Sequence, residues 1–304
     1  MEYVLETDNL TKSYKKFKAL NGLAMHVPKG SIYGLVGRNG AGKTTLIRII
    51  CGLQEPSSGG YSLYGTANDD KGINRVRRRM GAVVETPSIY MDMTAKENII
   101  EQYRLLGVPS YDGAQELLEL VGLGDTDGKK ARNFSLGMKQ RLGIAIALAG
   151  NPDFLVLDEP VNGLDPQGII EMRELILELN REHGITVLVS SHILDELSRL
   201  ASWYGFIDSG GMIKEISEEE LRETCRKSIN ITVSDTKILS VVLDLMGLEY
   251  RLLSENEADI FSETDISELV LALAEKGCKV FGIKERDESL ESFYMNIVGG
   301  EKNA

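Results

Sequence analysis

Cysteine is scarce in this sequence of 304 residues, which contains three copies, Cys51, Cys225 and Cys278. Their odd number and wide spacing argue against a disulfide framework, and no two stand at the short spacing of a zinc-binding pair. Unpaired cysteines are typical of a reducing compartment, so this composition predicts a cytosolic protein.

Long apolar runs are also missing. Mean hydropathy is −0.12, and no segment approaches the roughly 20 apolar residues that a membrane-spanning helix needs. The first ten residues, MEYVLETDNL, lack the basic and then apolar order of a signal peptide. The sequence therefore predicts neither a membrane span nor a signal peptide.

Basic residues are in deficit, with 34 lysines and arginines against 46 acids and a net charge of −12. The sequence therefore lacks the basic surplus that is typical of a nucleic-acid binder. We interpret the short basic run NRVRRRMG (74–81) as a solvated helix face. Residues 215–304 contain 20 acids and 10 bases, whereas residues 1–214 contain 26 acids and 24 bases. This shift predicts two domains, over 1–215 and 216–304.

Strands alternate with helices in the first part. Strands are predicted over 2–36, 80–85, 153–160 and 184–192, helices over 43–53, 94–107, 110–121, 135–150, 166–183 and 193–201, and a turn-rich loop over 54–61. Thr94 and Glu97 have the spacing of a capping box, and Ser135 is a candidate N-cap. Because the strand runs are uniformly apolar, the pattern predicts an α/β fold with a mostly parallel sheet covered on both faces.

The tail has a different order: strand, helix, strand, strand, helix, strand and a closing helix. The strands are predicted over 228–234, 249–254, 257–262 and 278–285, and the helices over 236–247, 266–277 and 289–300. This order predicts a small α+β domain of the ferredoxin-like type.

The segment GRNGAGKTT, residues 37–45, fits the phosphate-loop pattern G-x-x-x-x-G-K-[ST]. Its glycines allow backbone N–H groups to surround a phosphate, and the following helix adds positive potential at its N-terminus. Lys43 would reach the β- and γ-phosphates, and Thr44 would offer its hydroxyl to Mg²⁺. A glycine-rich turn is the alternative, but the strand before and the helix after are the context that the motif requires. The predicted nucleotide-binding residues of the loop are Gly37, Arg38, Asn39, Gly40, Ala41, Gly42, Lys43, Thr44 and Thr45.

Two acids follow another apolar strand. The segment FLVLDEP places Asp158 and Glu159 at the C-terminal end of that strand, where open α/β sheets bind their ligands. Asp158 could hold Mg²⁺ through water, and Glu159 could orient or deprotonate an attacking water. The alternative, a surface turn with two acids, is disfavoured beside so apolar a strand.

Together these segments resemble the ATP-binding subunit of ABC transporters. Residues 37–45 match the Walker A motif of that family and residues 154–159 match its Walker B motif. The segment FSLGMKQR, residues 134–141, stands where the family has its signature LSGGQ followed by the same Gln-Arg pair. The resemblance implies a P-loop NTPase with a RecA-like sheet that hydrolyses ATP with Mg²⁺.

Three single residues extend the resemblance, which covers about residues 2–215. Tyr14 in LTKSYKKFKALNG resembles the aromatic residue that stacks on adenine. Asp165 in NGLDP stands at the D-loop position, and His192 in SSH stands at the switch-histidine position. The implied catalytic residues include Glu159 and His192, with the histidine contacting the γ-phosphate.

The signature departs from the family pattern, because Leu136 and Met138 replace a glycine and a glutamine. Ser135 and Gly137 remain, and they could donate to a γ-phosphate and allow close backbone approach. In the family this segment contacts the nucleotide of the other subunit, so the resemblance implies a head-to-tail homodimer with two ATP molecules at the interface. Alone, FSLGM would be an ordinary capped helix; its position between the Walker motifs favours the signature.

The same alignment places Glu85, in MGAVVETPSIY, at the Q-loop, where the family usually has glutamine. A carboxylate keeps the acceptor oxygen for Mg²⁺ and the attacking water and adds a charge near a cation that prefers oxygen ligands. Glu85 is therefore a predicted catalytic residue, and Thr44, Glu85 and Asp158 are the predicted metal ligands. The glutamate in place of glutamine, together with the segment FSLGM, resembles the subgroup of ATP-binding subunits that serve bacitracin-resistance and lantibiotic-immunity exporters. The alternative is a surface acid at a strand end.

Because the sequence has no membrane span, the resemblance implies a separate permease that holds this subunit at the inner face of the cell membrane. The family docks its permease on a helical subdomain, here about 86–150, and also has an antiparallel β subdomain. The implied function is to power export of a peptide antibiotic or another drug. The alternative is a soluble ABC ATPase acting as a regulatory module. The tail, 216–304, could brace the dimer, modulate ATP hydrolysis or stabilise the fold.

Overall fold

The computed structural model describes residues 2–126, 128–262, 264–286 and 290–300. It divides the chain into two compact units, with the boundary between Glu218 and Glu219. The strands of the first unit are β1 (Tyr3–Tyr14), β2 (Phe17–Pro28), β3 (Ile32–Val36), β4 (Ser58–Leu63), β5 (Thr66–Ala67), β6 (Met80–Val83), β7 (Phe154–Asp158), β8 (Thr186–Ser191), β9 (Trp203–Asp208) and β10 (Gly211–Ser217). Its helices are α1 (Lys43–Ile50), α2 (Ile73–Arg77), α3 (Ala95–Leu106), α4 (Gly113–Leu120), α5 (Leu136–Leu148), α6 (Pro166–Arg181) and α7 (Leu194–Ser198), with a 3-10 turn at Ala131–Asn133; α8 (Glu218–Thr224) begins at the boundary.

The main sheet has the strand order β10-β9-β3-β8-β7-β6. All neighbours are parallel except β10, which pairs antiparallel with β9 at the edge. Every residue of β3, β7 and β8 is buried, as expected for strands covered on both faces. The predicted α/β class and mostly parallel sheet are confirmed.

A second, antiparallel sheet has the order β2-β1-β4-β5. It shares one buried apolar core with the main sheet, including Leu5, Leu23, Tyr33 and Phe154. The predicted loop over 54–61 is wrong in its second half, because β4 begins at Ser58. There Gly59 has φ +70 and lies so close to β1 that a Cβ would come within 2.1 Å of the Asn9 carbonyl oxygen.

Three boundaries of the first unit position predicted site residues. Helix α5 begins after Ser135, whose hydroxyl oxygen accepts a hydrogen bond from the Met138 N–H at 3.3 Å. Helix α6 begins after Asp165, whose carboxylate caps Gly168 at 3.1 Å. Strand β6 ends at Val83, two residues earlier than predicted, so Glu85 lies beyond the strand rather than at its buried end.

The second unit contains β11 (Ser228–Val233), α9 (Thr236–Leu245), β12 (Tyr250–Leu252), β13 (Glu257–Ile260), α10 (Ile266–Glu275), β14 (Val280–Arg286) and α11 (Leu290–Gly300). Its sheet has the order β12-β13-β11-β14, and all its pairs are antiparallel. Helices α9 and α10 pack with the sheet in a separate apolar core that includes Ile231, Leu239 and Leu269. The predicted element order agrees, although residue 289, the predicted start of the last helix, lies outside the described residues.

Candidate active site

The phosphate loop connects β3 to α1, and its path requires glycine. Gly42, the N-cap of α1, has φ +112, and a Cβ there would come within 2.6 Å of the Ala19 carbonyl oxygen. At Gly37 a Cβ would lie 2.7 Å from Ile207. Side chains do not tolerate such contacts, so glycine allows the loop to wrap this tightly. The free N–H groups of the first turn of α1 then face the loop, as an anion site requires.

A pocket of about 370 Å³ opens beside this loop. Its lining consists of Phe17, Ala19, Arg38, Asn39, Gly40, Gly42, Lys43, Thr44, Thr45, Glu159, Asn162 and His192. Seven of the nine predicted loop residues are in this set, together with Glu159 and His192. The fold thus brings together residues that are more than a hundred positions apart in the sequence, because β3, β7 and β8 end at the same edge of the sheet.

Glu159 connects the charged residues of the pocket. The Lys43 ammonium donates to the Gly37 carbonyl at 2.6 Å and lies 3.1 Å from Glu159 Oε1. The other oxygen, Oε2, lies 2.7 Å from His192 Nδ1. Lys43 is 6% exposed and Glu159 19% exposed, so water screens their attraction only weakly. Glu159 also has a left-handed backbone, with φ +51. One carboxylate therefore holds the loop lysine and orients the histidine.

Ser190, on β8, fixes the acids at the end of β7. Its hydroxyl donates to Asp158 Oδ1 at 2.6 Å and accepts a hydrogen bond from the Glu159 backbone N–H at 3.0 Å. Asp158 is 2% exposed. Burial of Cys51, together with the negative charge of Asp158, raises the pKa of the Cys51 thiol to about 12. The sequence analysis missed Ser190, although it stands in the same SSH segment as His192.

The oxygen donors near the pocket fit Mg²⁺. Thr44 offers a hydroxyl and Asp158 a buried carboxylate, and both are hard ligands of the kind that this ion prefers. Within the described residues, no three histidine, cysteine or acidic side chains gather as a metal site. The described part of the chain alone offers no complete cage, which suits an ion that is held by one or two protein oxygens together with substrate phosphates.

Two aromatic residues stand opposite each other where β1 turns into β2. Tyr14 and Phe17 are register partners, and both are exposed. Phe17 lines the pocket, whereas Tyr14 is not in its lining. The Tyr14 hydroxyl bonds to Gln54, and the Lys12 ammonium lies 5.5 Å from the centre of its ring. The sequence analysis named Tyr14 and missed Phe17, whose neighbours in the sequence give no motif.

Glu85 is not in the pocket lining. Its Oε1 accepts a hydrogen bond from Arg48 Nη2 on α1 at 2.6 Å, and its side chain is 53% exposed. A half-exposed acid costs little to accommodate, so its position alone does not require a metal. Its backbone is left-handed, with φ +58.

The signature residues lie apart from the phosphate pocket of their own chain. None of Ser135, Leu136, Gly137 and Met138 lines it. Leu136 is 46% exposed at the start of α5. A Cβ on Gly137 would lie 3.7 Å from Leu164, which precedes Asp165. Gly137 of the signature is thus a neighbour of the residue that precedes the predicted D-loop aspartate.

The tight glycine loop, the helix N-terminus and the acids at the strand ends define a P-loop nucleotide-binding protein. Residues 20–162 match the family model described as ABC transporter. The bacitracin transport ATP-binding protein BcrA of Enterococcus faecalis is 39% identical over 306 residues, covering 99% of this chain and 98% of the relative. The chain belongs to the ATP-binding proteins of the ABC transporter family, and it is an ATPase subunit.

Two further comparisons agree. The lantibiotic transport ATP-binding protein SrtF of Streptococcus pyogenes is 45% identical over 212 residues, or 70% of this chain and 90% of the relative. The dimeric post-hydrolysis structure of the ATP-binding cassette MJ0796, bound to ADP and phosphate, is 28% identical with a TM-score of 0.63, and covers 70% of this chain and 98% of that structure. Across the part of the chain that the structure describes, every helix is too short or too polar to cross a membrane.

Proposed function

We propose that this subunit powers export of a peptide antibiotic by hydrolysing Mg²⁺-ATP in a head-to-tail dimer bound to a separate permease. The contact chain from Lys43 through Glu159 to His192, at the mouth of the phosphate loop, carries this proposal. It gathers a phosphate-binding cation, a general base and an imidazole around one pocket. This set is what in-line attack of water on a γ-phosphate requires.

Each of these three residues has a distinct role in the proposed reaction. Lys43 exchanges its contact with Glu159 for the β- and γ-phosphates when ATP binds, which frees the carboxylate. Glu159 then accepts a hydrogen bond from the attacking water and orients it toward phosphorus. His192 donates to a γ-phosphate oxygen as negative charge develops there. Because Glu159 and His192 already line the pocket, little rearrangement of these two side chains accompanies the chemical step.

Thr44 and Asp158 would hold Mg²⁺, which neutralises charge on the β- and γ-phosphate oxygens when it is bound. Ser190 supports this role, because its hydrogen bond keeps the Asp158 carboxylate in place. Glu85 would join the site by leaving its present contact with Arg48. Tyr14 and Phe17 would contact the nucleobase.

The second nucleotide contact would come from the partner subunit through Ser135, Leu136, Gly137 and Met138. Three features support a head-to-tail dimer. The signature lies apart from its own pocket, Ser135 caps a 13-residue helix whose N-terminus is available to an anion, and Leu164, the residue before Asp165, lies close to Gly137 of the signature. The dimeric cassette found among similar structures also favours this assembly.

The cargo and the permease are inferred from relatives. The proteins at 39% and 45% identity are named for bacitracin transport and lantibiotic transport, so a peptide antibiotic is the proposed cargo and export the proposed direction. The permease would hold this subunit at the inner face of the cell membrane and would dock on the helical segment, about 86–150. These relatives do not favour a regulatory ATPase without a permease.

The tail, predicted over 216–304, is proposed to be a ferredoxin-like domain. The support is its antiparallel sheet order β12-β13-β11-β14 with α9 and α10 in one core. The similar relative BcrA extends over the whole chain, whereas SrtF covers only 70% of it. Transport ATPases of this subgroup therefore occur both with and without a match to the tail.

The substitution Glu159→Gln tests the dimer and the role of the base. It keeps the size of the side chain and removes its basicity, so ATP should stay bound and a dimer should accumulate with saturating ATP and Mg²⁺. Size-exclusion chromatography with light scattering measures this. Glu182→Gln, an exposed glutamate at the end of α6, is the matched control and should behave as the wild type does. A Glu159→Gln variant that binds ATP and stays monomeric would exclude the proposed assembly.

A further inference from the structure

Helix α9 presents apolar residues to solvent along one stripe. Its exposed positions are Lys237, Val241, Asp244 and Leu245, which follow the spacing of a single helix face. Val241 is 51% exposed and Leu245 is 74% exposed. Neither belongs to the core cluster of the second unit, which the opposite face of α9 fills with Leu239, Val242 and Leu243. The apolar content of this stripe is therefore not explained by the fold of the unit.

The neighbouring helix α10 repeats the pattern. Leu271 is 66% exposed and points away from the core residues Leu269 and Leu273. Helix α6 of the first unit gives the contrast: apart from Pro166 and Ile170, its exposed residues are Gln167, Glu174, Glu178 and Arg181. The chain thus builds an ordinary polar face elsewhere. Val is also a poor helix former, so local propensity does not account for Val241.

An exposed apolar patch with a polar rim is typical of a protein contact surface. The outer face of α9, defined by Lys237, Val241, Asp244 and Leu245, has a charge arrangement that fits itself. Lys237 is four residues before Val241, and Asp244 is three residues after it. With a rise of about 1.5 Å per residue, two antiparallel copies crossing at Val241 would place each lysine within about 1.5 Å, along the axis, of the other copy's aspartate.

Both charges are available for such a contact. Among the described residues the Lys237 ammonium has no ion-pair partner. Asp244 Oδ1 accepts a hydrogen bond from the Tyr250 hydroxyl at 3.1 Å, and a carboxylate has room for further donors. Two-fold symmetry uses each residue twice, so a single lysine and a single aspartate per chain provide two ion pairs.

We infer that the outer face of α9 pairs antiparallel with the same face of a second copy of this chain, with Leu271 of α10 at its flank. The second unit is then a dimerisation element that acts without nucleotide. This contact is distinct from the proposed head-to-tail dimer, which needs ATP. The α9 contact also gives the acidic tail a role, because the contact raises the effective concentration of one ATPase domain near another.

The first test uses the full chain without nucleotide, so that the ATP-dependent dimer does not contribute. Sedimentation equilibrium at roughly 0.15 M salt, where the Debye length is about 8 Å, limits repulsion between the acidic tails. We expect a reversible dimer with micromolar affinity and a loss of affinity of at least about tenfold for Val241→Glu, which places two carboxylates opposite each other at the crossing point. Leu252→Glu, at a 48% exposed leucine on the edge strand β12, is the control and should keep the wild-type affinity.

A charge exchange makes the second test independent of folding effects. Lys237→Glu alone should weaken the dimer about two- to tenfold, because it loses two exposed ion pairs and adds repulsion. The double variant Lys237→Glu with Asp244→Lys should restore the affinity to within about twofold. Circular dichroism and ATP binding check that each variant is folded. A monomeric wild type, or a double variant as weak as Lys237→Glu, would overturn the inference, and binding only to permease-containing vesicles would assign the face to the permease instead.

Discussion

Arg48 and Glu85 form an ion pair in which the guanidinium Nη2 lies 2.6 Å from the carboxylate Oε1. The pair connects helix α1, which begins at the loop lysine Lys43, to the segment that follows β6. Through Arg48, this segment is attached to the helix that is expected to sense the phosphates. The pair also holds the Glu85 carboxylate outside the pocket lining.

The first prediction concerns Glu85→Gln. Arg48 is partly exposed and Glu85 half-exposed, so water screens the pair and the free energy of unfolding should change by at most about 1 kcal/mol. ATP affinity should also be kept, while the rate of ATP hydrolysis or its coupling to the permease should change. Steady-state ATPase assays and urea unfolding measure the two effects.

Arg48→Ala provides the control for that prediction. If Arg48 acts by holding Glu85, its substitution should alter hydrolysis in the wild type and have no further effect in the Glu85→Gln background. Equal effects in both backgrounds would assign Arg48 a purely structural role. No change with Glu85→Gln alone would leave Glu85 as an exposed acid after a strand.

A second prediction is that Lys43→Ala abolishes ATP binding. The substitution removes charge-assisted hydrogen bonds to the phosphates, and a loss of affinity of about 100-fold or more is expected. Isothermal titration calorimetry with Mg²⁺-ATP measures it. Lys29→Ala, at a half-exposed lysine that pairs with Glu2, is the control and should bind as the wild type does. Retained affinity in Lys43→Ala would refute the assignment of the loop.

A third prediction separates the two aromatic residues of the β1–β2 turn. Stacking on a base is worth about 1–3 kcal/mol, so losing the stacking side chain should weaken ATP binding by about 5- to 150-fold. Because Phe17 lines the pocket, we expect Phe17→Ala to weaken ATP binding. This loss is expected besides any loss of ATP affinity that Tyr14→Ala causes. Inorganic triphosphate has no base and should bind all variants equally. A parallel loss for triphosphate would show that the loop itself had been disturbed.

A fourth prediction concerns pH and the capping box of α3. The pKa of Glu97 is lowered because its carboxylate accepts hydrogen bonds from Thr94, chiefly from the backbone N–H, at 2.7 Å. Its folded pKa lies below its unfolded pKa, so the charge stabilises the protein above the ordinary glutamate pKa of about 4.3 and this benefit disappears as the pH falls through the lowered folded pKa. Glu97→Gln should therefore be less stable than the wild type near neutral pH, and the difference should vanish in acid. Chemical unfolding of both proteins at a series of pH values measures it, and a difference independent of pH would contradict the prediction.

Local patterns predicted most of the first unit. The glycine pattern, the apolar strands and the caps at Thr94 and Ser135 are signals within a few residues, and each appears in the structure. Strand β4 was missed because its partner, β1, is about fifty residues away, and its glycine-rich sequence resembles a loop. Strand β9 received no assignment for a similar reason, since its parallel partner β3 is far away in the sequence and pairs Tyr33 with Trp203. Strand β10, which joins β9 across a short turn, was missed with it.

The site was predicted to the extent that motifs name its residues. Lys43, Glu159 and His192 were assigned separately, but their contact through one carboxylate depends on the order of the strands in the sheet. Ser190 and Phe17 have no motif of their own, so only the fold identifies them. Glu85 was expected near the metal, whereas its contact with Arg48 depends on the side-chain packing of α1, which a sequence pattern does not describe.

The left-handed backbones of Glu85 and Glu159 have a consequence for how this sequence balances stability against activity. Such a conformation costs a non-glycine residue about 1–2 kcal/mol, and glycine avoids that cost. A sequence optimised only for stability would have glycine after β6 and after β7. This chain keeps a carboxylate at each place, so both acids stand where stability has been given up.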